Sequence, residues 1–118
     1  MKYALFIGRY QPLHDGHLWL FEQALKVGKN VCIAIRDTPT DEKNPFTPEE
    51  VKEKIENTNI LKPLIQNKRI KIIIIPDVGS VEYGRGVGYE IIQHEPPKEI
   101  GEISATKIRE SLNNLKDA

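Results

Sequence analysis

Two histidines near the N-terminus are the residues whose type and spacing best suit chemistry. His14 and His17 lie three positions apart, on either side of Gly16, directly before a run with helical spacing. If the helix begins near Asp15, the two imidazoles share one face and can reach the same phosphate. A helix N-terminus adds free backbone N–H groups and partial positive charge, which attract anions. The stretch therefore predicts an anion-binding site.

The elements on either side place this stretch at one edge of a sheet. Residues 3–7 form a short apolar run that ends at Gly8, which is typical of a buried strand. Apolar residues then recur at helical spacing as far as Leu25, and Gly28 is placed to end that helix. Ligands of open α/β sheets bind at the carboxyl ends of the strands, beside helix N-termini. The histidines are expected at such a position.

Apolar runs alternate with helical segments along the rest of the chain. Residues 31–35 and 70–75 predict two further strands, and residues 81–83 and 89–92 predict two short ones. A last helix is expected after Ser104, with its apolar residues facing inward. This alternation is typical of α/β folds. We expect a three-layer α/β/α fold with a five-stranded, mostly parallel sheet.

The second main helix has the clearest predicted start. Thr47 is the expected N-cap, Pro48 the first helical residue and Glu50 the partner in a capping box. The helix is predicted to end between residues 57 and 61. The polar loop before it, residues 38–44, has the prolines and charges of a mobile flap.

Composition indicates one small domain of residues 1–118 and excludes several classes of partner. Lys plus Arg equal Asp plus Glu at 17 each, so no bulk charge draws the chain toward nucleic acid or an anionic membrane. The single cysteine, Cys32, excludes an internal disulfide and fits a reducing compartment. No apolar run approaches the ~20 residues of a membrane helix. We expect a cytoplasmic protein with neither nucleic acid nor membrane as partner.

The start of the last predicted helix holds a second candidate anion site. Lys107 falls in the first turn, where the helix dipole disfavours a cation by roughly 0.3–1 kcal/mol. A bound polyphosphate would reverse that sign. Ser104 and Thr106 offer hydroxyl donors, and Arg109 offers a guanidinium suited to phosphate oxygens. The alternative is a well-capped surface helix with solvated cations.

Three blocks of sequence, taken in order, resemble the nucleotidyltransferase superfamily. Its HxGH signature is matched by residues 14–17, inside the run GRYQPLHDGH at residues 8–17. That run is closer to the nicotinamide-mononucleotide adenylyltransferase branch than to the cytidylyltransferases. The run NPFT at residues 44–47 is similar to the segment before the second main helix in archaeal members of that branch. ISATKIR at residues 103–109 is similar to the C-terminal ISxTxxR signature.

The resemblance implies a Rossmann-like nucleotidyltransferase domain and a reaction. An oxygen of a phosphate- or hydroxyl-bearing acceptor would attack the α-phosphorus of a nucleoside triphosphate in line and expel pyrophosphate. The run at residues 8–17 favours ATP over CTP as donor and AMP as the transferred group. Mg²⁺ would arrive on the triphosphate, without metal-ligating residues of the protein. A homo-oligomer is compatible with the family.

The same resemblance assigns roles to residues. His14 and His17 are the expected catalytic residues, as donors to charge on the α-phosphoryl group and the leaving bridge. The expected nucleotide-binding residues are Gly8, Arg9, Tyr10, Gly16, Ser104, Thr106, Lys107 and Arg109. The expected contacts to the acceptor or the base are Arg36, Asn44, Gly84 and Arg85.

The residues leave other interpretations open. The two histidines could form a polar helix edge, or a metal pair completed by Asp15 or His94. The glycines at residues 84–88 favour a tight turn over a phosphate cradle. The stretch after residue 83 is short for the family, and no aromatic counterpart for a nicotinamide ring is evident. The acceptor could therefore be a phosphopantetheine-like, sugar-phosphate or lipid-headgroup molecule, and a cytidylyltransferase or a non-catalytic nucleotide-binding module are the alternative functions.

Overall fold

A computed structural model describes residues 2–97 of the chain. Its elements follow the order of an α/β unit, with a second short helix before the last strand. The elements are β1 (Tyr3–Gly8), α1 (Asp15–Leu25), β2 (Asn30–Asp37), α2 (Pro48–Glu56), α3 (Lys62–Gln66) and β3 (Ile70–Pro76). The three strands predicted from the apolar runs at residues 3–7, 31–35 and 70–75 are therefore confirmed.

The strands form one parallel sheet in the order β1-β2-β3. Gly8 pairs with Ile35, and Ile35 pairs with Ile74, so the three carboxyl ends lie along the same edge. The loops that leave this edge include the one that holds His14 and leads into α1, whose first turn holds His17. This arrangement confirms an α/β fold with a parallel sheet and puts the candidate site where parallel sheets bind ligands.

The two further strands predicted at residues 81–83 and 89–92 are wrong, since both runs are irregular in the structure. The apolar side chains there are exposed, for example Tyr83 at 64% and Ile91 at 63%. Two or three apolar positions around a charged residue bury too little surface to hold a strand without a neighbour. Within residues 2–97 the sheet has three strands, and a count of five remains a prediction.

The core lies on one face of the sheet. Alternate residues of β2, namely Val31, Ile33 and Ile35, are 0% exposed beneath the helices. Phe21 of α1 and Ile55 of α2 belong to the same buried cluster. Because all these residues share one side of the pleat, the described helices cover that face only. The third layer of the expected fold, with the helix after Ser104, lies outside the described residues.

The first helix begins at Asp15 and ends at Leu25, as predicted. Gly28 takes a left-handed φ of 85°, and the N–H of Lys29 donates to the carbonyl of Ala24 at 3.1 Å. That glycine-dependent turn satisfies carbonyls at the end of the helix. No helix within residues 2–97 is long and apolar enough to cross a membrane.

The second helix starts as predicted but ends early. Thr47 Oγ1 accepts from the N–H of Glu50 at 3.1 Å, and Glu50 Oε1 accepts from the N–H of Thr47 at 3.2 Å. The helix stops at Glu56, before the predicted end at residues 57–61. The polar residues 57–59 favour turns over helix, and a new helix with Pro63 in its first turn follows. The helix α3 was not predicted, because it is short and Pro63 is its main sign of a helix start.

Candidate active site

The two histidines cap the start of α1 reciprocally. His14 is the N-cap residue, and its Nδ1 accepts from the N–H of Gly16 at 3.0 Å. His17 reaches back, and its Nδ1 accepts from the N–H of His14 at 3.1 Å. The imidazoles stack with centroids 3.8 Å apart and planes 24° from parallel. The prediction that the two imidazoles share one face is thus confirmed. The two rings also form a capping box at the start of α1.

These two bonds decide where the ring protons lie. An imidazole nitrogen that accepts a hydrogen bond carries the lone pair, so the neutral ring carries its proton on the other nitrogen. Both Nδ1 atoms accept backbone N–H groups. Each neutral ring therefore presents an Nε2–H donor, and the pair offers two donors from the N-terminus of one helix.

Burial keeps both rings neutral at physiological pH. Desolvation, assisted by the neighbouring His14, lowers the pKa of His17 to about 4. Desolvation also lowers the pKa of His14, while the Asp15 carboxylate opposes that change. The free site therefore attracts an anion through directional N–H groups and the helix terminus, without a formal charge on either ring.

The Tyr10 ring packs against the His17 ring. Its side chain is buried at 4% exposure, its hydroxyl donates to the carbonyl of Phe6 at 2.9 Å, and its ring meets the His17 ring edge-on with centroids 4.8 Å apart. Tyr10 has a left-handed φ of 51°, which turns the chain sharply out of β1. The predicted nucleotide-binding residue thus directs its side chain into the protein. Its hydrogen bond to Phe6 and its ring contact with His17 hold the His17 ring in place.

Gly8 leaves little space beside the Tyr10 ring. A Cβ built on Gly8 would lie 3.0 Å from Cζ of Tyr10, closer than most packed atoms approach, so the ring would have to shift to admit it. The sequence analysis expected Gly8 to leave room at the strand end. The structure fills that room with the Tyr10 ring.

Gln11 joins the histidine loop, residues 9–14, to the loop that precedes α2. Its amide is 3% exposed, donates to the carbonyl of Phe46 at 2.8 Å and accepts from the N–H of Phe46 at 2.9 Å. Sequence analysis gave Gln11 no role. A glutamine next to a proline in a loop carries no local signal of a partner 35 positions away.

The loop before α2, residues 38–46 and here named the Asp41 loop, is folded around Asp41. Oδ1 of Asp41 accepts from the N–H groups of Lys43 and Asn44, at 2.8 and 2.7 Å, and from Nδ2 of Asn44 at 3.2 Å. These bonds, led by the N–H of Asn44, hold the pKa of the Asp41 carboxyl below its ordinary value. The exposed tip was predicted as a flap, yet Thr38 and Asn44 at its ends are buried, at 7% and 5% exposure.

Asn44 carries an acceptor without a partner. An ionised carboxylate only accepts, so Nδ2 must face Asp41 and Oδ1 must face away. Within the described part of the chain, Asn44 Oδ1 and Thr38 Oγ1 are buried and make no hydrogen bond. A buried polar atom left unpaired costs about 1–3 kcal/mol. Such a cost is expected where a ligand supplies the missing group.

Arg36 and Arg9 occupy the same edge of the sheet. Nε and Nη2 of Arg36 both donate to Oδ1 of Asp77, at 3.0 and 2.6 Å, so β2 and the end of β3 are tied together. Arg9, one residue beyond β1, is exposed. Both residues lie at the carboxyl edge of the sheet, and the guanidinium of Arg36 is held in place by a carboxylate.

Several predicted site residues are not brought to the histidines. Gly84 and Arg85 lie in an exposed segment with a turn at residues 85–86, as the tight-turn interpretation expected, and no hydrogen bond or ring contact within residues 2–97 joins them to the histidine loop. The residues of the C-terminal signature lie outside the described residues; these are Ser104, Thr106, Lys107 and Arg109.

The described contacts supply no third metal ligand beside the two histidines. The Nδ1 atoms of His14 and His17 accept backbone N–H groups, which leaves their Nε2 atoms for a ligand, and His94 lies against Trp19, with ring centroids 6.4 Å apart. Within residues 2–97, no group of three His, Cys, Asp or Glu side chains could hold a metal ion.

Comparison with known proteins agrees with this geometry. The family model described as cytidylyltransferase-like matches residues 5–70, more than half of the chain. The nicotinamide-nucleotide adenylyltransferase of Pyrococcus furiosus is 35% identical over 80 residues, which are 66% of this chain and 43% of that protein. The enzyme of the same name from Thermococcus kodakarensis is 32% identical over 80 residues, covering 66% of this chain and 42% of that protein.

A solved structure supports the same assignment. The bifunctional NMN adenylyltransferase/ADP ribose pyrophosphatase of Francisella tularensis is 34% identical, with a TM-score of 0.51 over 64% of this chain and 22% of that one. The chain spans less than half the length of each relative compared here. By its match to the family model, the chain belongs to the cytidylyltransferase-like family of nucleotidyltransferases, on the branch that resembles the NMN adenylyltransferases.

Proposed function

We propose that the chain transfers AMP from ATP to a small phosphate-bearing acceptor and releases pyrophosphate, with nicotinamide mononucleotide as the first acceptor to test. The observation that carries this proposal is the reciprocal cap, which aims two neutral Nε2–H donors from one helix N-terminus. The names of the relatives favour AMP as the transferred group over CMP.

The proposed step forms one bond and breaks one. An acceptor phosphate oxygen attacks the α-phosphorus, and the bond from that phosphorus to the oxygen bridging to the β-phosphate breaks. The electron pair leaves with pyrophosphate. His14 and His17 donate to the oxygens on which negative charge develops, and such preorganised donors are a large part of catalysis of phosphoryl transfer.

The protonation of the histidines favours a phosphate over a hydroxyl acceptor. A hydroxyl must lose its proton as it attacks, which calls for a base. The Nδ1 lone pairs of both rings are engaged by backbone N–H groups, and both Nε2 atoms carry protons. A phosphate oxygen is already anionic and needs no base. The site therefore fits acceptors that bring their own nucleophilic charge.

Mg²⁺ is proposed to enter bound to triphosphate oxygens and water, which is its usual mode in phosphoryl transfer. Its chemistry there is to neutralise charge on the β- and γ-phosphates. The histidines are unsuited to hold it, because Mg²⁺ prefers oxygen ligands and the Nε2 atoms of both rings carry protons.

Other proposed contacts follow from position. Arg9 at the exposed end of β1 and the backbone of Tyr10 and Gly16 line the nucleotide side, with Ser104, Thr106, Lys107 and Arg109 assigned by the resemblance alone. Arg36 would meet the acceptor phosphate. Asn44 Oδ1 would accept an N–H or O–H of the acceptor, which would satisfy its unpaired oxygen.

The proposal is tested by pyrophosphate release from Mg²⁺-ATP and nicotinamide mononucleotide, with CTP as the competing donor. The wild-type chain is expected to release pyrophosphate with ATP and not with CTP. The His17→Ala variant is expected to lose on the order of 10²–10³ in turnover, the usual effect of one lost preorganised donor. His94→Ala is the matched control, since His94 packs against Trp19 and touches neither ring of the pair.

The outcomes separate the alternatives. Pyrophosphate release with CTP alone would replace the proposal by a cytidylyltransferase. Nucleotide binding without release, with nicotinamide mononucleotide and a panel of phosphate monoesters, would indicate a nucleotide-binding module. Equal loss of turnover in His17→Ala and in the control His94→Ala would mean that the reciprocal cap is not the catalytic element.

A further inference from the structure

We propose that Gln11 is a positioning residue that fixes the Asp41 loop against the histidine loop, and so sets the distance between acceptor and nucleotide. This inference rests on the proposed function. Gln11 touches neither substrate in that scheme. It acts through Phe46, which lies two residues after Asn44.

The contact has the geometry of a rigid connection. Both ends of the planar Gln11 amide are engaged by a single residue, with the carbonyl and the N–H of Phe46 at 2.8 and 2.9 Å. Two bonds to one peptide segment fix orientation as well as distance. The amide is 3% exposed, so water does not compete for either bond.

This contact lies close to Asn44 in the chain, so it limits where Asn44 can lie relative to the histidine loop. Residues 41–44 form one hydrogen-bonded turn around the Asp41 carboxylate, including a bond from the N–H of Asp41 to the carbonyl of Asn44 at 3.0 Å. Phe46 is the residue of this segment that bonds to the histidine loop, and Thr47 after it already belongs to the cap of α2. Without the Gln11 bonds, Asn44 has no described hydrogen bond to the loop that holds His14.

The expected consequence is selective for the acceptor. The triphosphate is bound by the α1 terminus, whose capping bonds do not involve Gln11. The acceptor is bound between the two loops. Displacement of a bound group by about 1 Å can cost on the order of 10²-fold in rate. Loss of the Gln11 bonds should therefore raise the KM for the acceptor and lower kcat, while ATP affinity changes little.

The test uses Gln11→Met in the full chain, with nicotinamide mononucleotide and Mg²⁺-ATP as probes. Methionine keeps the length of the side chain and removes both hydrogen bonds. The KM for nicotinamide mononucleotide is expected to rise about 10-fold or more, with the Kd for ATP within about twofold of wild type. Gln23→Met is the matched control, because Gln23 bonds only to Trp19 of its own helix within the described contacts. Unchanged KM in a folded variant, or equal loss for both ligands, would overturn the proposal.

A second variant covers the case in which Gln11→Met does not fold. In Gln11→Glu the protonated carboxyl can still accept from the N–H of Phe46 and donate to its carbonyl, whereas the carboxylate cannot donate. Burial favours the protonated form. The ratio of acceptor KM in this variant to that in wild type should fall as pH falls. A ratio that does not depend on pH would contradict the assigned bonds.

A third measurement separates this inference from the proposed function. Amide hydrogen exchange requires no substrate, and the N–H of Phe46, which donates to Gln11, should lose protection in Gln11→Met while the N–H of Asn44 and the N–H groups of α1 keep theirs. If exchange changes as expected but wild type releases no pyrophosphate, the connection holds and the proposed function fails. If the N–H of Phe46 keeps full protection, the connection itself is refuted whatever the activity.

Discussion

At the residue scale, each histidine has two tasks that its two nitrogens divide. Nδ1 satisfies a backbone N–H at the start of α1, and Nε2–H remains for a ligand. A serine or aspartate would cap the helix equally well but would leave no second donor. The sequence predicted a shared phosphate from the spacing alone. It could not predict which nitrogen faces the ligand, because that depends on the stacking of the rings in three dimensions.

The first prediction concerns the His17 ring in the free protein. Burial and the neighbouring His14 should place its pKa at about 4. An NMR titration of the ring carbon and nitrogen resonances measures this directly, and it should also report protonation at Nε2 in the neutral form. Titration near the ordinary value of about 6.5 would contradict the described burial.

The second prediction concerns the space between Gly8 and Tyr10. Gly8→Ala should lower the free energy of unfolding by about 1–3 kcal/mol, because the added methyl meets the Tyr10 ring at 3.0 Å. Urea unfolding measures the change. Gly79→Ala is the control, since no atom lies within 4 Å of the corresponding Cβ. Equal effects in both variants would mean that the ring does not limit the space.

At the element scale, α1 and α2 both begin with reciprocal side-chain caps. Gln11 joins the loop that precedes α1 to the loop that precedes α2. Local sequence predicted the start of α2 because its cap is a bond between neighbours. The start of α1 was predicted from the spacing of the residues, and its histidine cap was not predicted. The end of α2 was harder to predict, because residues 57–59 break the helix and a new helix with Pro63 in its first turn follows. Residues 81–83 have the apolar pattern of a strand but pair with no strand within residues 2–97. The Gln11 connection spans 35 positions and left no local pattern.

The third prediction tests the cap of α2. Thr47→Ala removes the acceptor for the N–H of Glu50 and should cost about 1 kcal/mol of stability. Chemical denaturation should register that loss, whereas Thr40→Ala in the exposed loop tip should be nearly neutral. A neutral Thr47→Ala would show that the capping bond does not stabilise the helix.

At the scale of the whole molecule, one parallel sheet aligns three strand ends. The strand ends, and the loops and helix starts that follow them, carry His14, His17, Arg36 and Asn44. The alternation of apolar and helical segments was sufficient to predict that alignment. The three-layer architecture and the sheet of five strands remain predictions, because the described helices cover one face. Leu5 on the opposite face of β1 is 58% exposed.

The fourth prediction is an acid-sensitive stability. The pKa of His17 is lower in the folded protein, so the folded state binds fewer protons than the unfolded state between about pH 6.5 and pH 4. Stability should therefore fall as pH falls through that window, by on the order of 3 kcal/mol from His17. Urea unfolding at several pH values, compared with His17→Asn, isolates this contribution. Parallel pH profiles for the two proteins would refute it.

The donor role of the histidine pair is tested most directly by titrating the ¹⁵N-labelled chain with Mg²⁺-ATP and following the ring nitrogens of His14 and His17. Phosphate binding at the Nε2–H groups should shift both Nε2 resonances, leave both Nδ1 atoms as acceptors, and raise the pKa of each ring, because an anion favours the protonated form. ATP binding that leaves the Nε2 resonances of both rings unchanged would contradict the central assignment.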